Sequence, residues 1–150
     1  MELDQLIQHW KQVRASLLDT IDKFSDQDLA FVPFANSWST AQLILHIAQE
    51  EQGEIGYGVM GSLSEWPPEF PPQAYPSVAS IKAVLGQVHS ATEAYLNGLE
   101  ETDLDRAVNA PWGKTFRHGE MLWHTLEHEI HHRAELSLIL GMLGRKGLDA

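Results

Sequence analysis

Apolar residues recur every three or four positions in four stretches of the chain, which is the spacing of one face of an α-helix. The first stretch predicts a helix that contains Leu3, Leu6, Ile7, Trp10, Val13, Leu17, Leu18 and Ile21. The third has the same character and contains Ile81, Val84, Leu85, Val88, Tyr95, Leu96 and Leu99. The second and fourth stretches lie around residues 40–57 and 118–143. Four such helices can enclose one core, so the pattern predicts an all-α protein, a four-helix bundle.

Polar cap residues indicate where the second and third helices begin. Ser39 stands at an N-cap position, and Gln42 three residues later completes a capping box. Ser77 is the matching N-cap of the third helix. Within the second helix, His46 lies among core-facing positions, with Glu50 one turn further on. The sequence therefore places one histidine of the second helix toward the core.

Glycine and proline dominate the connection between the second and third helices. Four glycines follow the middle of the second helix: Gly53, Gly56, Gly58 and Gly61. This half of the helix therefore either frays or packs closely against another part of the protein. Residues 62–77 contain five of the seven prolines, which excludes a helix or a central strand. We predict a long crossover there between helices that need not be neighbours, and we interpret residues 100–117 as a loop that can hold a short hairpin.

The fourth helix, predicted over residues 118–143, holds five of the eight histidines. Three of them, His124, His128 and His132, share a stripe with apolar residues, so we expect this stripe to face the core. An unpaired buried polar group costs about 1–3 kcal/mol, so these imidazoles need partners. Residues four apart can hold one metal ion, but His124 and His132 lie about 12 Å apart along the helix. We therefore expect two neighbours, His128 and His132, to bind a metal together with a ligand from another helix. His89, at the margin of the third helix's apolar stripe, we interpret as solvated.

The fourth helix also has a second apolar side, roughly opposite the histidines. This side contains Trp123, Leu126, Ile130 and Leu140. A helix that is apolar on two sides is either central in its own bundle or covered by another subunit. Because a four-helix protein offers few ways to cover both sides, we predict a homodimer.

The composition excludes several classes of partner. With 150 residues, we expect a single domain spanning residues 1–150. A formal net charge of −11 and an isoelectric point near 5.0 disfavour binding to nucleic acid or to an anionic membrane. The absence of cysteine excludes disulfides and leaves histidine and carboxylate as metal ligands. The N-terminus lacks signal-peptide character and no apolar run is long enough to span a bilayer, so we expect a cytoplasmic protein.

Two zinc-protease motifs overlap in the fourth helix. Residues 128–132 match H-E-x-x-H, and residues 124–128 match the inverted H-x-x-E-H. Chance matches are expected in a segment so rich in His and Glu. A peptidase also needs a third ligand further along and a strand to align its substrate, yet only 18 residues follow His132. We therefore favour a metal site completed by His46 over a peptidase, a set of hydrogen-bonded histidines or a fortuitous surface patch.

Two parts of the chain resemble the motifs of a known family. Trp-Ser at residues 38–39, ahead of Leu-His at residues 45–46, resembles the second-helix motif of the DinB-like (YfiT-like) metalloenzymes. Leu-Trp-His at residues 122–124, followed by His-Glu-Ile-His-His-Arg at residues 128–133, resembles that family's last-helix motif. The resemblance extends over nearly the whole chain. It implies an up-down-down-up four-helix bundle, often dimeric, that binds zinc or nickel.

The resemblance assigns the three metal ligands to His46, His128 and His132. The family's last motif usually continues with Gly-Gln, whereas this chain has Ala134-Glu135, which places a carboxylate where an amide is usual. Family members include transferases that use a low-molecular-weight thiol, and others described as hydrolases. We therefore expect a metal-dependent transferase that acts on a small-molecule substrate with such a thiol. The alternatives are a metal-dependent hydrolase and a non-catalytic metal-binding stress-response protein.

Three neutral imidazoles on a divalent ion leave an open coordination position, which is the pattern of catalytic rather than structural sites. Water bound there can reach a pKa of about 7, and a thiol can be held as thiolate. Because the chain has no cysteine, such a thiol must arrive as a cosubstrate. Glu135 and Glu50 are candidate bases or groups that orient the ligands, and a fourth-ligand role also stays open for Glu135. His124 is then a residue of the surrounding pocket or one that orients a ligand.

Overall fold

Four long helices form the protein, whose structure is a computed structural model that describes residues 2–147. They are α1 (Leu3–Ile21), α2 (Thr40–Glu51), α3 (Val78–Leu96) and α4 (His118–Met142). Helix α1 packs against α4, and α2 packs against both α3 and α4. Each helix lies where the apolar spacing predicted it, so the all-α four-helix bundle is confirmed.

Contacts between the helix ends establish the direction in which each helix runs. The backbone N–H of Val78, at the start of α3, donates to Asp26 at 2.9 Å, in the segment that precedes α2. Helices α2 and α3 therefore begin at the same end of the bundle. Arg145, just beyond α4, forms an ion pair with Asp28 of the same segment, which also follows α1. The order is up-down-down-up, and the crossover joins α2 and α3 as parallel neighbours.

The second apolar side of helix α4, the one opposite the histidines, is covered within the protomer. Two clusters of buried side chains fill the bundle, and Leu140 belongs to one while Leu126 belongs to the other. Both leucines are fully buried, and Trp123 and Ile130 pack against the second cluster. The apolar side that suggested a homodimer is therefore used inside a single copy of the chain.

A charged network crosses the interior of the bundle and links all four helices. Arg14 donates to Glu51 and, at 2.8 Å, to Glu129, and the indole N–H of Trp10 donates to Glu129 at 3.0 Å. His89 Nδ1 lies 2.7 Å from Glu51 Oε1. The interpretation of His89 as solvated is wrong, since it is only 7% exposed. Its ring pairs with a buried carboxylate that would otherwise lose hydration without compensation. These five residues are called the Arg14 network below.

Beyond its α-helical part, α2 continues as a π-helix (Gln52–Val59), in which glycines let two tryptophan rings approach the backbone. A Cβ atom at Gly53 would lie 2.5 Å from Cζ2 of Trp66, and one at Gly58 would lie 2.7 Å from Cη2 of Trp112. A side chain at either position would collide with an indole ring. Close packing, rather than fraying, is therefore the correct alternative for this glycine-rich segment.

Short elements complete the connections. Strands β1 (Ala107–Asn109) and β2 (Thr115–Arg117) pair as an antiparallel hairpin, which confirms the predicted one. Single turns of 3₁₀-helix occupy Asp26–Ala30, Pro72–Ala74 and Glu101–Asp105. Within the described residues 2–147, no helix combines the length and the apolar character needed to cross a membrane.

Candidate metal centre

Three imidazoles from two helices converge where α2 packs against α4. Nε2 of His128 lies 3.2 Å from Nε2 of His46 and 3.0 Å from Nε2 of His132. Zinc held at 2.0–2.1 Å in tetrahedral geometry separates its nitrogen ligands by about 3.3 Å, close to these spacings. Within residues 2–147, these side chains form one of two groups with ligand atoms close enough to share an ion. They are called the three-histidine cluster below.

Local sequence rules bring His46 to this position. Ser39 Oγ accepts from the backbone N–H of Gln42 at 3.2 Å, and Gln42 Oε1 accepts from the N–H of Ser39 at 2.8 Å. This capping box fixes the start of α2 and hence the face on which His46 lies. The Trp38 ring, just before the cap, lies 4.4 Å from the His46 ring and 6.4 Å from that of His132, between centroids. Trp38 therefore covers part of the cluster.

The electrostatic surroundings favour the neutral form of two cluster histidines, His46 and His128. Burial, followed by the nearby imidazoles of His132 and His46, lowers the pKa of His128 to about 3. The pKa of His46 is also lowered, first by burial and then by His132. Neutral imidazoles have a nitrogen lone pair available for a metal, whereas protonated ones do not. The donor set therefore fits a divalent cation at neutral pH.

Glu135 lies at the outer nitrogen of a cluster histidine. Its Oε2 is 2.6 Å from Nδ1 of His132, and its Oε1 is 3.4 Å from Nε2 of the exposed His131. A proton on Nδ1 of His132 donated to this carboxylate leaves Nε2 unprotonated and turned toward the cluster. His131, His132 and Glu135 form the second group with ligand atoms close enough to share an ion.

The other two predicted site residues lie further from the cluster. Glu50 Oε1 is 3.9 Å from Nδ1 of His46, which is too long for a hydrogen bond. Burial raises the pKa of Glu50, and the nearby Glu54 carboxylate adds to the effect. His124 is 63% exposed in its side chain and points to Glu54, with Nε2 3.2 Å from Oε1. The structure thus places Glu50 at the margin of the cluster and pairs His124 with a different acid.

The glutamate of the H-E-x-x-H motif belongs to the interior. Glu129 is buried and accepts from Trp10 and Arg14. A protease base must reach a water molecule on the metal, and a carboxylate held by a core arginine is committed elsewhere. The motif therefore contains two histidines of the cluster and a structural acid, which agrees with the choice against a peptidase.

Two cavities of opposite character open beside the cluster. A polar cavity of about 370 Å³ touches His46 and is lined by Gln42, Gln49, Glu69 and Gln73 among others. An apolar cavity of about 390 Å³ touches His132 and is lined by Phe34, Leu43, Leu138, Ile139 and Met142 among others. Trp38 lines both cavities. These linings were not predictable from the sequence, since Glu69 and Gln73 lie in the crossover, where no periodic pattern indicates an orientation.

Several solved structures share this fold. A DinB-like protein from Bacillus cereus is 16% identical, with a TM-score of 0.81 over 99% of this chain and 97% of that one. YfiT from Bacillus subtilis, described as a probable metal-dependent hydrolase with an unusual four-helix bundle topology, is 20% identical, with a TM-score of 0.72 over 96% and 89%. A mycothiol-dependent maleylpyruvate isomerase is 12% identical, with a TM-score of 0.65 over 93% and 66%. At these identities the similarity establishes the fold alone.

Sequence comparisons give the family. A search of curated proteins finds no match. The family model described as the DinB superfamily matches residues 9–136, a range that includes all three cluster histidines. This chain therefore belongs to the DinB superfamily.

Proposed function

We propose that this protein is a metal-dependent transferase that activates a low-molecular-weight thiol at the three-histidine cluster. The observation that carries the proposal is the position of the cluster between a polar and an apolar cavity. A hydrophilic thiol suits the amide and carboxylate groups of the first cavity, and an apolar electrophile suits the second. The structural neighbour described as mycothiol-dependent gives independent support for a thiol.

His46, His128 and His132 are the proposed ligands of a divalent cation, for which zinc and nickel both suit imidazole nitrogen. The bound cation would supply positive charge that lowers the pKa of a thiol or of water. Because the chain has no cysteine, the sulfur must belong to the cosubstrate. In the transfer step, the thiolate sulfur forms a bond to the electrophilic carbon while the leaving group departs with its electron pair.

The carboxylates near the cluster have proposed roles of two kinds. Glu135 is a positioning residue, because its contact with Nδ1 of His132 turns Nε2 toward the cluster. Glu50 is the proposed acceptor of the thiol proton, since burial raises its pKa and no hydrogen bond to His46 commits it. His124, which pairs with Glu54, is proposed as a residue of a neighbouring pocket.

The homodimer and the cytoplasmic location stay predictions. Exposed apolar side chains at Phe34, Leu138 and Met142 border the apolar cavity and offer a surface to a second copy. Analytical ultracentrifugation over a range of protein concentrations measures whether the chain associates in solution.

A metal-dependent hydrolase is the second candidate, favoured by the description of YfiT. A non-catalytic metal-binding stress-response protein is the third. All three use the same histidines, so they differ in the reaction and not in the cluster.

A conjugation assay separates the three candidates. Zinc- or nickel-loaded protein is mixed with 1-chloro-2,4-dinitrobenzene and with mycothiol, glutathione or cysteine, and the thioether is measured by absorbance. The proposal predicts turnover that requires both metal and thiol and is lost in His128→Ala. Ester hydrolysis without thiol would favour the hydrolase, and metal binding without turnover of either substrate class would favour the third candidate.

A further inference from the structure

A third cavity, of about 620 Å³, lies where the π-helical end of α2, the crossover and the hairpin meet α4. Glu54, Trp66, Trp112, Phe116 and His124 line it, and it is called the aromatic cavity below. His124 lies one helical turn before His128, about 6 Å along the axis, so the cavity lies beyond the three-histidine cluster. No residue of the three-histidine cluster lines this cavity, and it shares no lining residue with the polar or the apolar cavity.

Aromatic rings form one wall of the cavity. The ring of Trp112 lies 5.9 Å from that of Trp66 and 6.4 Å from that of Phe116, between centroids. Both indoles rest on glycine backbone, at Gly53 and Gly58, which leaves no space for them to move inward. Trp66 is still 37% exposed and Trp112 is 41% exposed. Two fixed tryptophans thus present exposed surface at the cavity.

The Glu54 carboxylate also lines the cavity, and only one of its two oxygens is paired. Glu54 is only 7% exposed, and its Oε1 lies 3.2 Å from Nε2 of His124. Its Oε2 is buried and has no hydrogen-bond partner, and the nearby Thr125 hydroxyl donates to the carbonyl of Met121 instead. Burial raises the pKa of Glu54, and the nearby Thr125 hydroxyl and the His124 charge offset only part of this rise. A buried carboxylate that is only partly paired is stabilised by a cation that binds next to it.

The remaining charge on the lining is mostly negative. Glu120 and Glu127 are exposed acids of the lining, and Lys114 is its one basic side chain. Glu120 accepts from the backbone N–H of Arg117 at 2.9 Å, so part of its capacity is used by the start of α4. The potential at the cavity therefore favours a cation over an anion or a neutral molecule.

We propose that the aromatic cavity binds an organic cation through a primary ammonium group. Such a group pairs its charge with the Glu54 carboxylate that lines the cavity and lies against the faces of the two tryptophans. A metal ion suits the site less well, because neither group of side chains among residues 2–147 with ligand atoms close enough to share an ion includes a residue of this lining. The inference goes beyond the proposed transferase, since the binding requires neither metal nor thiol.

The direct test compares a cation with a neutral molecule of the same shape. Butylammonium and 1-butanol are titrated into the full-length protein by isothermal titration calorimetry, with tryptophan fluorescence as a second readout. We expect butylammonium to bind at least about ten-fold more tightly than the alcohol. Equal binding of the two probes would overturn the proposal.

Single substitutions test which side chains bind the cation. Glu54→Gln is expected to weaken butylammonium binding by about ten-fold, whereas Asp19→Asn, which removes an exposed carboxylate of α1, leaves it unchanged. Trp66→Leu is expected to weaken binding, whereas Trp38→Leu does not. Equal effects within either pair would contradict the assignment.

Lys114→Ala perturbs only an exposed side chain and is expected to tighten binding about two-fold, because a competing cation is removed. An unchanged or weaker affinity in this variant would count against the proposal.

A chelation control separates this site from the proposed metal centre. Butylammonium affinity is expected to be the same in zinc-loaded and chelator-treated protein. Loss of affinity on chelation would overturn the proposal of a separate site. Failure of the protein to bind zinc would instead contradict the proposed function and leave this measurement intact.

Discussion

The Arg14 network and the three-histidine cluster both use side chains of α2 and α4, yet they have opposite chemistry. In the Arg14 network, a cation lies between two carboxylates in the interior. In the cluster, three like groups face one another, and burial lowers the pKa of His128 to about 3. The first arrangement contains its own counter-charge. In the proposed function the second is stabilised by a cation that arrives from outside, as expected of a ligand site.

The largest predicted effect on stability comes from a substitution that breaks the Arg14 network. Arg14→Ala is expected to lower the free energy of unfolding by about 3–5 kcal/mol, because Glu51 and Glu129 would stay buried without a counter-charge. Urea unfolding of chelator-treated protein, followed by circular dichroism, measures the change.

The matched variant in the cluster is His128→Leu. Without metal, we expect it to leave the free energy of unfolding unchanged or to raise it, because it removes one of three crowded polar groups. A loss as large as that of Arg14→Ala would contradict the contrast between the two regions.

The second effect concerns the carboxylate beside the cluster. Glu135→Ala is expected to weaken zinc binding by about 10–100-fold, because Nδ1 of His132 loses the group that orients the ring. Competition with a chromophoric chelator measures the affinity. The control is Glu127→Ala, which removes an exposed carboxylate of the same helix and should have little effect. Similar losses in both variants would show that Glu135 acts only through its general charge.

The smallest effect concerns pH. In the unfolded chain, His128 takes up a proton near its ordinary pKa of about 6.5, whereas in the metal-free fold it does so only near 3. Between these values the unfolded state binds more protons, so the free energy of unfolding falls as the pH decreases. His128→Gln is expected to show a shallower fall between pH 6.5 and 4. Parallel profiles for the variant and the parent chain would contradict the depressed pKa.

The contrast also explains what the sequence could predict. The four helices and the Ser39 cap follow from local rules, and so does the pairing of His128 with His132, one turn apart. His46 was predicted from its core-facing position on the second helix and from the motif resemblance, since no local rule connects it to α4. These parts of the fold and candidate site are fixed by spacing or by recognisable chemistry.

Partner choice across the bundle was not predictable. His89 and Glu129 pair with residues of other helices. Periodicity predicts which face of a helix a residue lies on, but it does not predict which residue of another helix lies opposite. His124 shares the stripe of His128, but the residue across from it is Glu54, in the π-helical part of α2, where the wider turn changes the register.

The metal content of the purified protein tests the central claim most directly. Elemental analysis of the parent chain, of the alanine variants at His46, His128 and His132, and of His131→Ala compares cluster ligands with an exposed histidine of the same helix. We predict about one zinc or nickel ion per chain in the parent and in His131→Ala, and almost none in the other three. Equal metal content in all five proteins, or none in the parent even after incubation with zinc or nickel, would contradict a metal site at this cluster.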